Sequence, residues 1–446
     1  MVIAGMKHLS GQIPASFSNL SRLTQLVLED NSLQGPIPSS LGRLTLLRTL
    51  SLSTNKLSGL IPPSLATLKN LVQLNLAKNS LTAFIGEYQN LTFLDISYNQ
   101  LSGKIPFSIC KLANLLDLSL AHNMLTGSIP HPIGDLKSLT TLSLSFNKLS
   151  GQIPESISTL RNLWYLNLSS NALSDPLPKS ITLPGSIPSL LSIDLSYNRF
   201  NLGTIPQWIK SRELSDVHLA GCNLRGTLPN FKKPGSLSSI DFSYNHFSEG
   251  ISNFFAEMFS LQKAKLSNNQ LKADISEIKL PEGLSSLDLH SNQLSGSLSG
   301  ILNNKTSGFL EAIDLSNNQI SGNIPDFKKG VNLKLLNIGS NKIEGQIPSS
   351  ISSLAELETL DISRNRITGT IPTSLGALVK MKWLELSING LRGRIPESLL
   401  GMENLSHANF RANRLCGEIP QRRPFNIFPA VAYVIISAYV ANLSLH

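Results

Sequence analysis

A pattern of alternating apolar and polar residues recurs along this chain about every 24 residues. The unit is clearest in residues 357–372, LETLDISRNRITGTIP, which reads L-x-x-L-x-L-x-x-N-x-L-x-G-x-I-P. Its alternation predicts a short strand in which Leu360 and Ile362 point into a core and Asp361 points outward.

The asparagine of this unit recurs along the whole chain, mostly at intervals of 23 or 24 residues, and once as cysteine. The aligned positions are Asn31, Asn55, Asn79, Asn99, Asn123, Asn147, Asn171, Asn198, Cys222, Asn245, Asn269, Asn292, Asn318, Asn341, Asn365, Asn389 and Asn413. A degenerate repeat precedes them, in which Val2, Ala4 and Lys7 replace the two strand leucines and the asparagine. Such a period and core pattern are typical of leucine-rich repeats.

The pattern predicts an interior ladder of asparagine side chains. Strands of successive repeats pair in parallel, and Asn365 lies where the chain leaves its strand. A buried amide can satisfy the backbone groups that this turn leaves unpaired, each of which costs about 1–3 kcal/mol if orphaned. We expect Cys222 to fill the same space as a weak donor.

A second signature, G-x-I-P or G-x-L-P, closes most repeats, as at Gly369 to Pro372. Glycine permits a turn, and proline has no N–H to continue a strand ladder. Repeats of the form LSGQIPESISTLRNLWYLNLSSN resemble those of plant receptor-like proteins, receptor-like kinase ectodomains and polygalacturonase-inhibiting proteins. The resemblance implies an extracellular or plasma-membrane-associated recognition protein with a peptide, glycan or protein ligand and a co-receptor kinase.

The expected fold is an α/β solenoid, a curved leucine-rich-repeat superhelix of about 18 repeats with a parallel sheet on its concave face. We assign residues 1–420 to the solenoid and residues 421–446 to an apolar tail or altered cap. Prolines and asparagines interrupt the tail, which favours a cap over a membrane anchor. Residues 1–5 do not resemble a signal peptide or a capping segment, and the beginning therefore suggests a truncated product.

Cysteine usage predicts free thiols. Cys110, Cys222 and Cys416 lie several repeats apart, which at about 4.8 Å per repeat exceeds the reach of a disulfide. We expect Cys416 to be a packed thiol.

No catalytic motif is present in the sequence. It contains no H-E-x-x-H, C-x-x-C, Walker-type phosphate loop, G-x-S-x-G or kinase signature, and its histidines are scattered. The prediction is a protein without enzyme activity, metal or cofactor. Basic residues are dispersed despite the net charge of +9, which disfavours nucleic-acid binding.

Candidate ligand contacts lie on the outward strand columns. One such column, which contains Asp361, is acidic at seven of 17 positions, and either it is only a solvated face or it favours a basic ligand. Aromatic residues offer contact area at small entropic cost. The candidates are an N-terminal patch of Phe93, Asp117, His122 and Tyr165, a basic pair of Lys263 and Lys265, and a third patch of Glu358, Trp383 and Glu385. Candidate glycosylation sequons lie at Asn19, Asn90, Asn167, Asn304, Asn404 and Asn442.

The favoured function is the recognition array of a plant receptor-like protein. A secreted inhibitor of wall-degrading enzymes is the main alternative, because a pI near 9.4 would hold it on acidic pectin. An intracellular protein-interaction scaffold is the third.

Overall fold

In a computed structural model, the chain forms two compact units. The described residues are 1–84, 87–183, 185–302, 308–328 and 330–433. Unit 1 comprises Met1–Ile209 and Leu214–Asn223, and unit 2 comprises Lys210–Glu213 and the chain from Leu224 onward.

Each predicted L-x-L segment forms a three-residue inner strand. In the described part of unit 1 there are nine, paired in parallel in chain order. They are Gln25–Val27, Thr49–Ser51, Gln73–Asn75, Phe93–Asp95, Asp117–Ser119, Thr141–Ser143, Tyr165–Asn167, Ser192–Asp194 and Asp216–His218. Each strand is thus bonded to the strands of the adjoining repeats, as the periodicity predicts.

Unit 2 repeats the same arrangement, with eight inner strands among its described residues and parallel pairing throughout. They are Ser239–Asp241, Lys263–Lys265, Ser286–Asp288, Ala312–Asp314, Leu335–Asn337, Thr359–Asp361, Trp383–Glu385 and His407–Asn409. Leu360 and Ile362 are fully buried and Asp361 is half-buried, which confirms the predicted alternation. We call the outward side of these strands the sheet face.

The asparagine ladder is confirmed. Asn365 donates through Nδ2 to the carbonyls of Ile338, Ile362 and Ser363 at 3.0, 3.1 and 3.0 Å, and its Oδ1 accepts from the Ile343 N–H at 3.0 Å. Each asparagine thereby ties its own turn to the preceding repeat.

Cys222 occupies the asparagine position in its repeat and is fully buried. Its Sγ lies 3.6 and 3.7 Å from the carbonyls of Leu195 and Ala220. The thiol therefore reproduces part of the amide's bonding, as expected.

A second set of short strands was not predicted. The residues around the glycine turn pair in parallel with the same segment of the adjoining repeat, because nearly all of them have an N–H to donate. In unit 1 they are Ser10–Gly11, Ser32–Pro36, Lys56–Ile61, Ser80–Phe84, Ser102–Lys104, Met124–Gly127, Lys148–Gly151 and Ala172–Leu173. In unit 2 they are Arg225–Thr227, His246–Glu249, Ser321–Asn323, Lys342–Glu344, Arg392–Gly393 and Arg414–Leu415. Gly369 has a φ of +79°, which confirms the glycine turn.

The segment after each proline is mostly a single 3₁₀ turn. In unit 1 these turns are Ala15–Asn19, Ser39–Arg43, Pro63–Thr67, Phe107–Lys111, His131–Asp135, Glu155–Thr159 and Lys179–Thr182. In unit 2 they are Pro234–Ser236, Ile275–Glu277, Leu298–Gly300, Ser349–Ser353, Thr373–Ala377, Glu397–Gly401, Phe425–Ile427 and Ala430–Tyr433. A four-residue α-helix, Gln207–Lys210, replaces the 3₁₀ turn in one repeat. A tight turn suits this side because few residues separate the proline from the next strand.

The residue before each ladder position adopts a left-handed backbone. Arg364 has a φ of 53° and Ile388 a φ of 55°, and Gly221 has a φ of 63° in the repeat of Cys222. This conformation turns the chain off the strand so that the following amide enters the interior, and it is unfavourable for residues other than glycine and asparagine.

Two details of the sequence interpretation are wrong. Val2 bridges Val27 and is 64% exposed. Val27 itself faces outward, so Val2 is not an inward strand residue. Cys416 is exposed because it follows the buried Leu415 in an outer strand whose alternation turns the thiol to solvent. None of the three cysteines forms a disulfide, as predicted.

Residues 424–433 lie over the last repeat. Phe425 is buried against Phe410, Tyr433 stacks on Phe410 with a ring separation of 6.0 Å, and the Phe410 N–H donates to Ala432. Residues 434–446 lie outside the described residues. Over the described ranges, no helix combines the length and the apolarity that crossing a bilayer requires.

Candidate functional site

A depression of about 320 Å³ opens on the sheet face of unit 1. Its lining residues are Phe93, Leu94, Asp95, Asp117, Leu118, Ser119, Thr141, Ser143, Trp164 and Tyr165. Three of the four residues predicted for the N-terminal patch are therefore brought together here. We call this feature the aromatic depression.

The depression follows from side-chain size along one column of the sheet. Phe93, Asp117, Thr141 and Tyr165 are directly opposite one another on four successive strands. Large aromatic rings lie at both ends of this column, and short side chains lie between them. Three strand spacings separate the two ends, a distance of about 14 Å. Trp164 adds a third ring, tilted by 56° to Tyr165 at 5.7 Å and 44% exposed.

The floor of the depression carries negative charge. Asp117 accepts a hydrogen bond from the Thr141 hydroxyl at 2.6 Å, and Asp95 accepts one from the Ser97 N–H at 2.9 Å. Each carboxylate is bonded through Oδ1, and in the part of the chain that the structure describes neither has a basic partner.

His122 does not join the aromatic depression. It is the residue before ladder position Asn123 and stacks between Tyr98 and Phe146 at ring separations of 4.0 and 4.1 Å. Burial lowers the pKa of the His122 imidazole from its ordinary value. Reading the column before each asparagine would have found this stack, because Tyr98, His122 and Phe146 occupy it in successive repeats.

The predicted basic pair lies on one strand of unit 2. Lys263 and Lys265 are both exposed, and the buried Ala264 separates them. Lys265 is opposite Asp241 and Asp288 on the flanking strands.

The third predicted patch is engaged within the protein. The Trp383 ring stacks on His407 at 3.6 Å, and the Glu385 carboxylate lies 3.2 Å from His407 Nε2. Glu358 is paired with Lys382 at 2.6 Å rather than with either of its predicted companions.

The acidic column has a structural function that the sequence interpretation did not identify. Its Asp, Asn and Glu side chains accept the backbone N–H two residues further on, as Asp361 does from Ser363 at 2.8 Å and Asn167 does from Ser169 at 3.0 Å. Burial raises the pKa of the Asp361 carboxyl, although the Ser363 hydrogen bonds oppose this. These side-chain to backbone hydrogen bonds stabilise the start of the turn, which partly explains why acidic residues recur in this column.

Within the described residues, one group combines side chains that are able to bind a metal. Ligand atoms of Asp288, His290 and Asp314 lie within 4.8 Å of one another. Hydrogen bonds account for the arrangement, because His290 Nδ1 is 2.6 Å from Asp288 and the Asn337 amide donates to Asp314 at 2.9 Å.

The predicted glycosylation residues fall in different surroundings. Asn19, Asn90 and Asn404 are exposed on the side of the 3₁₀ turns. Asn167 is on the sheet face, where its Nδ2 donates to the Tyr165 hydroxyl at 3.2 Å. Asn304 and Asn442 lie outside the described residues.

Comparison with known proteins identifies the repeats. A "Leucine-rich repeat region" family model matches residues 64–276, and a "Leucine rich repeat" model matches residues 21–81 and 309–367. None of the curated proteins compared with the chain gives a match. The solved structure of the plant peptide hormone receptor RGFR1 in complex with RGF2 is 31% identical with a TM-score of 0.69, and the match covers 95% of this chain and 72% of that one. The chain belongs to the plant leucine-rich-repeat receptor family.

Two further receptor structures share this fold. The ectodomain of the Arabidopsis thaliana receptor kinase GASSHO1/SCHENGEN3, in complex with CASPARIAN STRIP INTEGRITY FACTOR 2, is 32% identical with a TM-score of 0.75 over 93% of this chain. The Arabidopsis receptor kinase HAESA, in complex with the peptide hormone IDA and the co-receptor SERK1, is 29% identical with a TM-score of 0.60, and the match covers 93% of this chain and 78% of that one. This leucine-rich-repeat receptor chain spans 53% of the length of the GASSHO1 chain.

Proposed function

We propose that this leucine-rich-repeat chain is a non-catalytic recognition array that binds a peptide through the sheet face of unit 1. The observation that carries the proposal is the aromatic depression, where three rings surround two carboxylates and a row of hydroxyl groups. Exposed aromatic side chains provide binding area without the entropic cost of long flexible chains.

The similar structures support this choice of ligand class. RGFR1 is a plant peptide hormone receptor whose structure contains RGF2, and the HAESA complex contains the peptide hormone IDA and the co-receptor SERK1. On this likeness we propose that the chain acts outside the cell, with a co-receptor kinase as its signalling partner. Asn19, Asn90 and Asn404 are the proposed glycan positions, because a glycan on Asn167 would stand beside Tyr165 in the depression.

The aromatic depression is the primary contact in this proposal. Trp383 and Glu385 already contact His407, which covers one face of the Trp383 ring and lies against the Glu385 carboxylate. Lys263 and Lys265 are exposed and offer a secondary contact for an acidic group of a ligand.

Binding of the purified, glycosylated chain to a panel tests the proposal. The panel contains secreted plant peptides, wall oligosaccharides and pectin-degrading enzymes, measured by biolayer interferometry. We expect a peptide to bind, and the double variant Phe93→Ala, Tyr165→Ala to weaken binding by about tenfold or more, as expected for interface anchors.

The matched control is Phe107→Ala. Phe107 is 67% exposed on a 3₁₀ turn of unit 1 and is not among the residues that line the depression. Its loss should leave the affinity unchanged. Inhibition of a pectin-degrading enzyme with no peptide binding would contradict the proposal and favour an inhibitor.

A further inference from the structure

The aromatic depression lacks an internal counter-charge. Asp95 and Asp117 are half-buried, and the ten lining residues, all described, include these two carboxylates and no basic side chain. The bonds that they accept come from the neutral donors Ser97, Thr140 and Thr141. Partly burying an ionised carboxylate costs free energy unless a partner compensates it.

Some carboxylates on or beside the inner strands have a basic partner within the protein. In unit 2, Glu358 is paired with Lys382 at 2.6 Å and Glu311 with Lys334 at 2.9 Å. Asp288 lies 2.6 Å from the His290 ring. These three acidic side chains, on an inner strand or directly before one, have a basic group supplied by the protein, which the two in the depression do not have.

The rings around the two carboxylates favour the same kind of partner. Trp164 is half exposed and tilted against Tyr165, so that an aromatic face remains open to a ligand. A cation over such a face is attracted by the ring quadrupole, most strongly by tryptophan, and a planar guanidinium can stack on it while bonding to a carboxylate.

We propose that the aromatic depression binds a cationic side chain of the peptide ligand, with Asp95 and Asp117 as its counter-charges and Trp164 and Tyr165 as its stacking surface. The inference rests on the proposed function and specifies the ligand chemistry. Arginine fits best, because its planar fork can bond to a carboxylate while it lies against a ring.

Positional-scanning pools of acetylated, amidated hexapeptides provide the test. In each pool one position is fixed as arginine, lysine, citrulline or glutamine, and citrulline has nearly the shape of arginine without its charge. At one or more positions we expect arginine pools to bind about tenfold more tightly than citrulline pools. In the variant Asp95→Asn, Asp117→Asn the ratio should fall to about one.

The Asp95→Asn substitution has counterparts in the chain itself. Asn75 and Asn167 occupy the column of Asp95 and accept the same backbone N–H, at 3.2 and 3.0 Å, so asparagine can replace aspartate there. Asp194→Asn is the matched control, because Asp194 lies in the same column of unit 1 outside the depression and accepts from the Ser196 N–H at 3.0 Å. This control should retain the preference for arginine.

The outcomes separate this proposal from the proposed function. If arginine and citrulline pools bind equally and the Phe93→Ala, Tyr165→Ala variant loses both, the peptide site is supported and the cation proposal is overturned. A preference that survives in the Asp95→Asn, Asp117→Asn variant would also overturn it. If no pool binds a folded, monodisperse sample, both proposals fail.

Discussion

Replacing Asn365 by alanine removes one link of the asparagine ladder. Four hydrogen bonds are lost, but their consequences differ. The carbonyl of Ile338 also accepts from Asn341 at 3.1 Å, that of Ile362 from Asn389 at 3.0 Å, and that of Ser363 from the Ser340 N–H at 2.8 Å. Each carbonyl therefore keeps a partner when Asn365 is truncated.

The Ile343 N–H is the donor that loses its acceptor. It donates to Asn365 Oδ1 at 3.0 Å, and Ile343 itself is fully buried. An orphaned buried donor costs about 1–3 kcal/mol. Because the Asn365 side chain is only half-buried and water can partly replace it, we expect a cost of about 1–2 kcal/mol.

Urea denaturation combined with hydrogen exchange of the Ile343 amide measures this prediction. The midpoint should fall and the Ile343 amide should lose protection, because repeat arrays respond locally. Arg366→Ala is the control, since Arg366 is exposed and should change stability by less than about 0.5 kcal/mol. An unchanged midpoint together with a protected Ile343 amide would refute this account of the ladder.

Three further predictions concern the core, the turn and the aromatic stack. Leu360→Ala should cost about 2–5 kcal/mol in urea denaturation because Leu360 is fully buried, and a cost below about 1 kcal/mol would show that this register is wrong. Ile388→Asn should raise stability by up to about 1 kcal/mol, because a β-branched residue is strained at a φ of 55°, whereas the control Ile388→Val should give no gain. Burial lowers the pKa of His122, so the folded state disfavours a proton that the unfolded chain accepts near pH 6.5. The stability that neutral His122 contributes is therefore complete above pH 6.5 and is lost as the pH falls below it. His122→Phe should reduce the loss of stability between pH 7 and pH 5. Identical pH profiles of stability for the two proteins would contradict this.

The repeat pattern predicted the inner strands and the ladder because both depend on one residue type at a fixed offset. Leu360 must be apolar to fill the core, and Asn365 must offer donors and an acceptor at one point. The outer strands were missed because residues such as Ser321–Asn323 carry no strong strand preference and pair only because the flanking repeats place them side by side.

The candidate site was partly predictable for the same reason. Phe93, Asp117 and Tyr165 share one strand column, so the period alone brings them together. His122 was misplaced because it lies beyond the strand end, in the left-handed residue whose side chain leaves the sheet face. The period also places Trp383 opposite His407, but the stacking of their rings depends on rotamers, which the period does not determine.

Hydroxyl-radical footprinting of the chain with a bound peptide tests the central claim most directly. Trp164 and Trp383 are each 44% exposed, so they react from equal starting accessibility on different units. A peptide that binds the aromatic depression should reduce oxidation of Trp164 severalfold and leave Trp383 unchanged. Protection of Trp383 without protection of Trp164 would contradict the claim that unit 1 holds the primary recognition site.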